Sequence, residues 1–160
     1  MERILYLFGL YLLIGKVFPY FAYSNYFMKS KVENYTELKK LALKLKGKSK
    51  FATLKNVYDY MIETYSGYDE RFKLKNVLTL YRMGDFSTRA SLNKKEFMWC
   101  HNQNRLARSI LVNTGMFSEK DIVVERTLVK SSSLHQCLIV RVGKKKFRFD
   151  THCRVFEKVD

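Results

Sequence analysis

The sequence predicts an α+β fold, with N-terminal helices followed by a cysteine-bearing helix packed on a small antiparallel sheet. Three observations predict it. Apolar residues recur at helical spacing as far as Gly115, and beyond it the pattern changes to short runs rich in β-branched residues. Helical patterns come first and strand patterns last, which is the order of an α+β domain and not of alternating βα units. The chain has 160 residues, a length that suits one domain able to bury roughly 70% of its unfolded surface. With 47% apolar, 15% aromatic and 28% charged residues, the composition excludes disordered, collagenous and low-complexity classes. One proline and seven glycines leave no room for a Gly/Pro-rich linker.

The first element is an apolar segment over residues 1–28. Its run ILYLFGLYLLI (residues 4–14) is shorter than the ~20 residues needed to cross a bilayer. Lys16 and Pro19 then interrupt it before the aromatic stretch to residue 28. Three readings stay open: a membrane anchor or interfacial helix, a signal peptide cleaved near Ala22-Tyr23-Ser24, and a helix packed on the domain. Lys29, Lys31, Lys39, Lys40, Lys44, Lys46, Lys48 and Lys50 follow the segment, against Arg3 alone before its apolar run. That bias keeps the following domain, residues 29–160, on the cytoplasmic side and argues against secretion.

A helix is expected over 30–46, opened by a Ser30/Glu33 capping box and closed at Gly47. Its stripe is Val32, Tyr35, Leu38, Leu41, Ala42 and Leu45, with the lysines on a solvated face. A second helix is expected over 51–65, with Leu54, Val57, Met61, Ile62 and Tyr65 inward and Ser66-Gly67 as its stop. Tyr58, Tyr60, Tyr65 and Tyr68 are read as core residues and not as base-stacking platforms. Leu74, Val77, Leu78 and Tyr81 suggest a short helix, broken at Gly84-Asp85, and a polar loop to Lys95. The next helix covers 101–113, with Leu106, Ile110 and Leu111 on one side and Asn113-Thr114-Gly115 as its stop, so Cys100 sits at its N-terminus. Strands are expected over 122–129, 134–142 and 146–150, the last two joined by a turn at Gly143.

Three cysteines, at 100, 137 and 153, with no CxxC pair, form neither a disulfide framework nor a paired-cysteine zinc site. Cys137 and Cys153 are expected on neighbouring strands as core or edge residues. Cys100 is different. At a helix N-terminus the unpaired amides and the helix dipole favour the thiolate, and the same amides can later hold an oxyanion. His135 starts a strand and Asp150 ends the next, fifteen residues on. Across a short turn such residues share one face of the hairpin, directly opposite or one diagonal step apart. A carboxylate beside an imidazole orients it and stabilises its charged form. Cys100, His135 and Asp150 therefore supply a nucleophile, a base and an orienting group. His101 is expected to point away from Cys100, and His152 is the rival base. A zinc site drawn from Cys100, His101, His135, His152 and Cys153 lacks typical ligand spacing, and no metal or organic cofactor is expected. The chain has no P-loop, GxGxxG, HExxH or GxSxG motif.

On these residues the chain resembles the transglutaminase-like (papain-related) superfamily of cysteine enzymes. The resemblance rests on Trp99-Cys100 opening a helix that stops at Gly115, on His135 beginning HQCLIVRV, and on Phe149-Asp150 closing KFRFD. The helix containing YDYMIETY resembles the family's preceding helix, so the resemblance covers residues 50–156. It implies a transglutaminase-like or papain-like core with Cys100 as nucleophile, His135 as general base and acid, and Asp150 as orienting residue. It also implies acyl transfer or hydrolysis at a carboxamide or peptide carbonyl through a thioester. The substrate would be a protein or peptide with accessible glutamine or amide groups. The chain departs from the family pattern at Cys137, where tryptophan is common, at Thr151, where proline is common, and at Trp99, where a small residue is common.

The net charge of +15 suggests nucleic acid or an anionic membrane as a partner. Beside a Cys-His-Asp set it reads instead as a surface property of an enzyme, with nucleic acid not expected. Arg141, Lys144, Lys145, Lys146 and Arg148 lie on the hairpin of His135 and Asp150, where they would draw acidic substrates or an anionic membrane. The alternatives are a non-catalytic basic binding module, or a degenerate scaffold of this family acting on membrane or nucleic acid.

Overall fold

The computed structural model describes residues 2–13, 32–70, 73–78, 87–93, 97–129 and 133–160. The fold is α+β. Helix α1 covers residues 2–13. It is followed by α2 (Thr36–Leu45), α3 (Lys50–Thr64), α4 (Leu74–Leu78), α5 (Thr88–Asn93) and α6 (Cys100–Asn113). Strands β1 (Ile122–Val129), β2 (Ser133–Val142), β3 (Lys145–Asp150) and β4 (Val155–Val159) form one antiparallel sheet in chain order. Single-turn 3-10 helices lie at Tyr68–Glu70 and Glu119–Asp121.

Helix α3 starts where the Ser49 hydroxyl accepts the Ala52 amide, 3.1 Å away, satisfying one of the orphan donors of the first turn. Its stripe and that of α6 close the core with the sheet. Leu38, Leu54, Val57, Met61, Leu106, Ile110, Leu111, Leu138, Val140 and Phe149 are wholly buried. Each such side chain contributes about 1.5–3 kcal/mol on leaving water. Tyr58 meets Phe149 edge-on at 5.5 Å, and Tyr58 and Tyr65 are buried, as a core role for these tyrosines requires. The lysines of α2 at 39, 40 and 44, with Lys46 just beyond it, are exposed.

Four expectations are corrected. Helix α2 starts at Thr36 and not at residue 30, and Tyr35 caps it without a side-chain bond. Glu33 caps nothing there, because its carboxylate accepts the amide and hydroxyl of Thr88 and pairs with Arg105 at 2.6 Å. Ser30 lies outside the described residues, as do Lys16, Pro19, Ala22-Tyr23-Ser24, Tyr81, Gly84-Asp85 and Lys95. The expected loop before Lys95 contains α5, opened by Ser87, whose hydroxyl accepts the Arg89 amide. Its buried residues are Thr88 and Ser91, so it carries no apolar period. Beyond the three expected strands, Val155–Val159 adds a fourth on β3. Cys153 lies in the turn before that strand and not on a strand.

The β2–β3 loop is Gly143-Lys144, between the paired residues Val142 and Lys145. Gly143 has φ 62°, which a two-residue hairpin with glycine first requires. This loop fixes the register. Leu138 faces Phe149, so Asp150 falls opposite Cys137 and one diagonal step from His135. The basic tip at Arg141, Lys144, Lys145 and Lys146 is exposed but far from that end. His135 and Val142 are seven positions apart on β2, about 24 Å at ~3.4 Å per residue. The tip residues Arg141, Lys144, Lys145 and Lys146 thus lie away from His135, while Arg148, two residues before Asp150, is engaged by Glu125 and Glu157, each at 3.2 Å.

Candidate active site

Three elements bring Cys100, His135 and Asp150 to one place. Cys100 is the first residue of α6, following Trp99, which has extended backbone and makes no side-chain cap bond. The amides of that first turn have no partner within the helix. Helix α6 reaches the start of β2, where Asn104 donates its side-chain amide to the Gln136 carbonyl at 2.8 Å. Asp150 closes β3. Its Oδ2 lies 2.7 Å from His135 Nε2, with both side chains buried. Its Oδ1 accepts the Cys153 amide at 3.0 Å, so both carboxylate oxygens are bonded and the side chain is fixed in rotation.

Cys100 is half-buried and hydrogen-bonded to the side chains of both His101 and His135. Burial pushes its thiol up, but the two imidazole bonds and their charge more than offset this and bring it down to about 6. Burial opposes charge on His135. Its hydrogen bonds to Asp150, Cys100 and Cys153 outweigh burial and hold the imidazole well above its ordinary range. The favoured state is therefore a thiolate beside an imidazolium. Cys137 is the counter-case: burial and the carboxylates of Asp150 and Glu125 push its thiol up to about 12, leaving it inert near neutral pH.

Three neighbours were not legible in these roles. His101 bonds Cys100 and does not point away from it. Side chains in a first helical turn lean back toward the N-terminus, which here is the sulfur. Cys153 is no core or edge-strand residue, since its Sγ sits 3.7 Å from His135 Nε2. The turn at 151–154 swings it there, and Arg154 takes φ 58°. Gln103 is wholly buried one turn after Cys100. Its side-chain amide donates to the carbonyls of Ser66 and Met98, and its oxygen accepts the Thr151 hydroxyl at 2.6 Å. It thereby ties the end of α3, the approach to Cys100 and the turn after Asp150 together. The sequence signal is a glutamine three residues after the cysteine, on the face that also carries Leu106 and Ile110.

His152, the rival base, stacks on the His135 ring at 5.6 Å and 25°, and its Nδ1 lies 3.2 Å from the Met98 carbonyl. His135, by contrast, is bonded to the Asp150 carboxylate at 2.7 Å. Gly67 makes this packing possible. A β-carbon there would stand 2.2 Å from the His152 carbonyl oxygen, and the Tyr68 amide donates to that same oxygen at 2.8 Å.

Compared with known proteins, the chain matches no family model, no curated protein and no solved structure.

Proposed function

We propose that this chain is a cysteine-dependent acyl-transfer enzyme of the transglutaminase-like kind, acting on a carboxamide or peptide carbonyl. The observation that carries the reading is the continuous contact from Cys100 through His135 to Asp150, with the thiol lowered to about 6. The Cys100 thiolate attacks the carbonyl carbon, and the oxyanion that forms is held by backbone amides at the start of α6. Protonated His135 gives its proton to the departing ammonia or amine as the carbon–nitrogen bond breaks, leaving a thioester on Cys100. Water or a primary amine, such as a lysine side chain, then attacks the thioester, and His135 takes up the proton released. Carboxylic acid or a new amide leaves, and the thiolate–imidazolium pair is restored. Asp150 acts through His135, holding one tautomer and one ring orientation.

The substrate class that suits this chemistry is a protein or peptide with an accessible glutamine or other amide. The direct test incubates the protein with a glutamine-containing peptide, quenches in acid and weighs the intact chain. The peptidyl mass is expected on the parent protein and absent from Cys100→Ala. An equal adduct on both proteins would sink the proposal.

A lipid surface is the proposed workplace. No helix among the described residues is long and apolar enough to cross a membrane. Yet Ile4, Tyr6, Leu7 and Leu13 of α1 are 60–73% exposed, a pattern suited to lying in a membrane interface. The lysine-rich stretch that follows favours an anionic, cytoplasmic leaflet. The full chain is expected to float with vesicles containing phosphatidylserine, and replacing Ile4, Leu7 and Leu13 by serine should leave it in the soluble fraction. Flotation unchanged by the triple substitution would remove α1 from the account.

A further inference from the structure

We propose that His135, Asp150 and Cys153 form a reversible Zn²⁺ site that, when filled, switches the catalytic group off. Their ligand atoms lie within 4.8 Å of one another. Cys153 Sγ and Asp150 Oδ2 both converge on the same nitrogen, His135 Nε2, at 3.7 and 2.7 Å. Tetrahedral zinc bonds of ~2.0–2.3 Å require N···S and N···O separations of about 3.5 and 3.3 Å. The sulfur is thus already placed, and the carboxylate needs to recoil by only about 0.6 Å. One thiolate, one imidazole and one carboxylate form the borderline donor set that zinc takes, with a fourth position left for water. Two negative ligands neutralise the ion.

The surroundings support the same assignment. Asp150 Oδ1 is held by the Cys153 amide, so one ligand orients another as supporting bonds do in metal sites. The turn that brings Cys153 to the imidazole includes Arg154 in the left-handed region, a conformation that costs free energy in a residue with a β-carbon. Cys153 is half-buried.

On binding, zinc–sulfur, zinc–nitrogen and zinc–oxygen bonds form as the ion sheds all but one of its waters. The Cys153 thiol proton and the proton that His135 Nε2 shares with Asp150 Oδ2 pass to solvent. A metal-bound neutral imidazole carries its one remaining proton on the other nitrogen and accepts no more. His135 then serves neither as base nor as acid. This consequence rests on the acyl-transfer reading; the metal site itself does not.

The test uses the full-length chain after treatment with chelator, and Co²⁺ as a spectroscopic substitute for zinc. One equivalent is expected to give a thiolate-to-cobalt charge-transfer band, displaced by Zn²⁺. Cys153→Ser should lose the band and weaken zinc binding by at least about 10–100-fold, with cooperative thermal unfolding checking its fold. Cys100→Ala should keep the band. A band that survives in folded Cys153→Ser, or that disappears in Cys100→Ala, would overturn the site, as would no band in the parent. Zinc should also slow alkylation of Cys100 in the parent and not in Cys153→Ser. Cobalt binding through Cys153 with no effect on alkylation overturns the switch alone. An unreactive Cys100 in metal-free protein with the Cys153-dependent band intact overturns the acyl-transfer reading alone.

Discussion

Asp150→Asn is expected to lower turnover by about 10³–10⁴-fold while leaving the fold in place. The substitution is nearly isosteric, and the asparagine carbonyl oxygen can still accept the Cys153 amide that Oδ1 accepts now. The other position then presents an NH₂ to His135 Nε2, where Oδ2 now stands at 2.7 Å. Two donors cannot face each other, so Nε2 must become an acceptor and the single ring proton moves to the opposite nitrogen. The imidazolium also loses the carboxylate that sustains it. Both changes weaken proton transfer without removing a packing contact. Steady-state kinetics on the glutamine peptide, beside a thermal unfolding scan, separate the two outcomes. Turnover within tenfold of the parent would mean that Asp150 does not orient His135.

Gly67→Ala is the substitution expected to damage the architecture most for its size. The added carbon would meet the backbone of His152 at 2.2, 2.8 and 2.9 Å, contacts that no side-chain rotation relieves. The turn at 151–154 must move away, stretching the Tyr68 amide to His152 carbonyl bond and the Thr151 to Gln103 bond. Overpacking of this kind costs about 1–3 kcal/mol, and the upper end is expected because every clash is with main chain. That corresponds to a fall in Tm of roughly 6–12 °C for a chain of this size. Because the same turn holds the Asp150 carboxylate through Cys153, alkylation of Cys100 should slow as well. A Tm within a degree of the parent would show that the turn is not locked against Gly67.

The parts of this molecule that were legible in its sequence are those set by local period and turn chemistry. Helix α6 was read to within one residue of its start because Leu106, Ile110 and Leu111 form a stripe and Gly115, at φ 73°, ends it. The hairpin was legible because Gly143 permits a two-residue loop, and from that loop the diagonal placement of His135 and Asp150 follows. What escaped depends on distant partners. Helix α5 buries Thr88 against Glu33, fifty-five positions away, and Ser91 beneath the Tyr65 hydroxyl, and polar burial leaves no apolar period. Gln103 is buried because Ser66 and Thr151, thirty-seven and forty-eight positions away, satisfy its amide. Cys153 reaches His135 through the turn after Asp150, where its amide is bonded to Asp150 Oδ1, and no glycine or apolar period marks that turn in the sequence. At the basic hairpin, nearness in sequence and nearness in space differ. Arg141, Lys144, Lys145 and Lys146 are close to the site residues in sequence, but the length of an extended strand carries them to the far end of the hairpin.

The most direct test of the account is the rate of Cys100 alkylation by iodoacetamide in metal-free protein as a function of pH. Only the thiolate reacts, and burial opposed by two imidazole bonds brings the Cys100 thiol to about 6 from an ordinary 9.0. Protonation therefore removes reactivity below pH 6, and the rate should rise through a midpoint near 6 and then stay level until His135 loses its proton at high pH. At pH 7 roughly 90% of the protein would carry the thiolate, against about 1% for an ordinary thiol. His135→Ala should move the midpoint upward. A parent profile that climbs steadily through pH 9, unchanged by His135→Ala, would contradict the thiolate–imidazolium pair and the acyl-transfer reading with it.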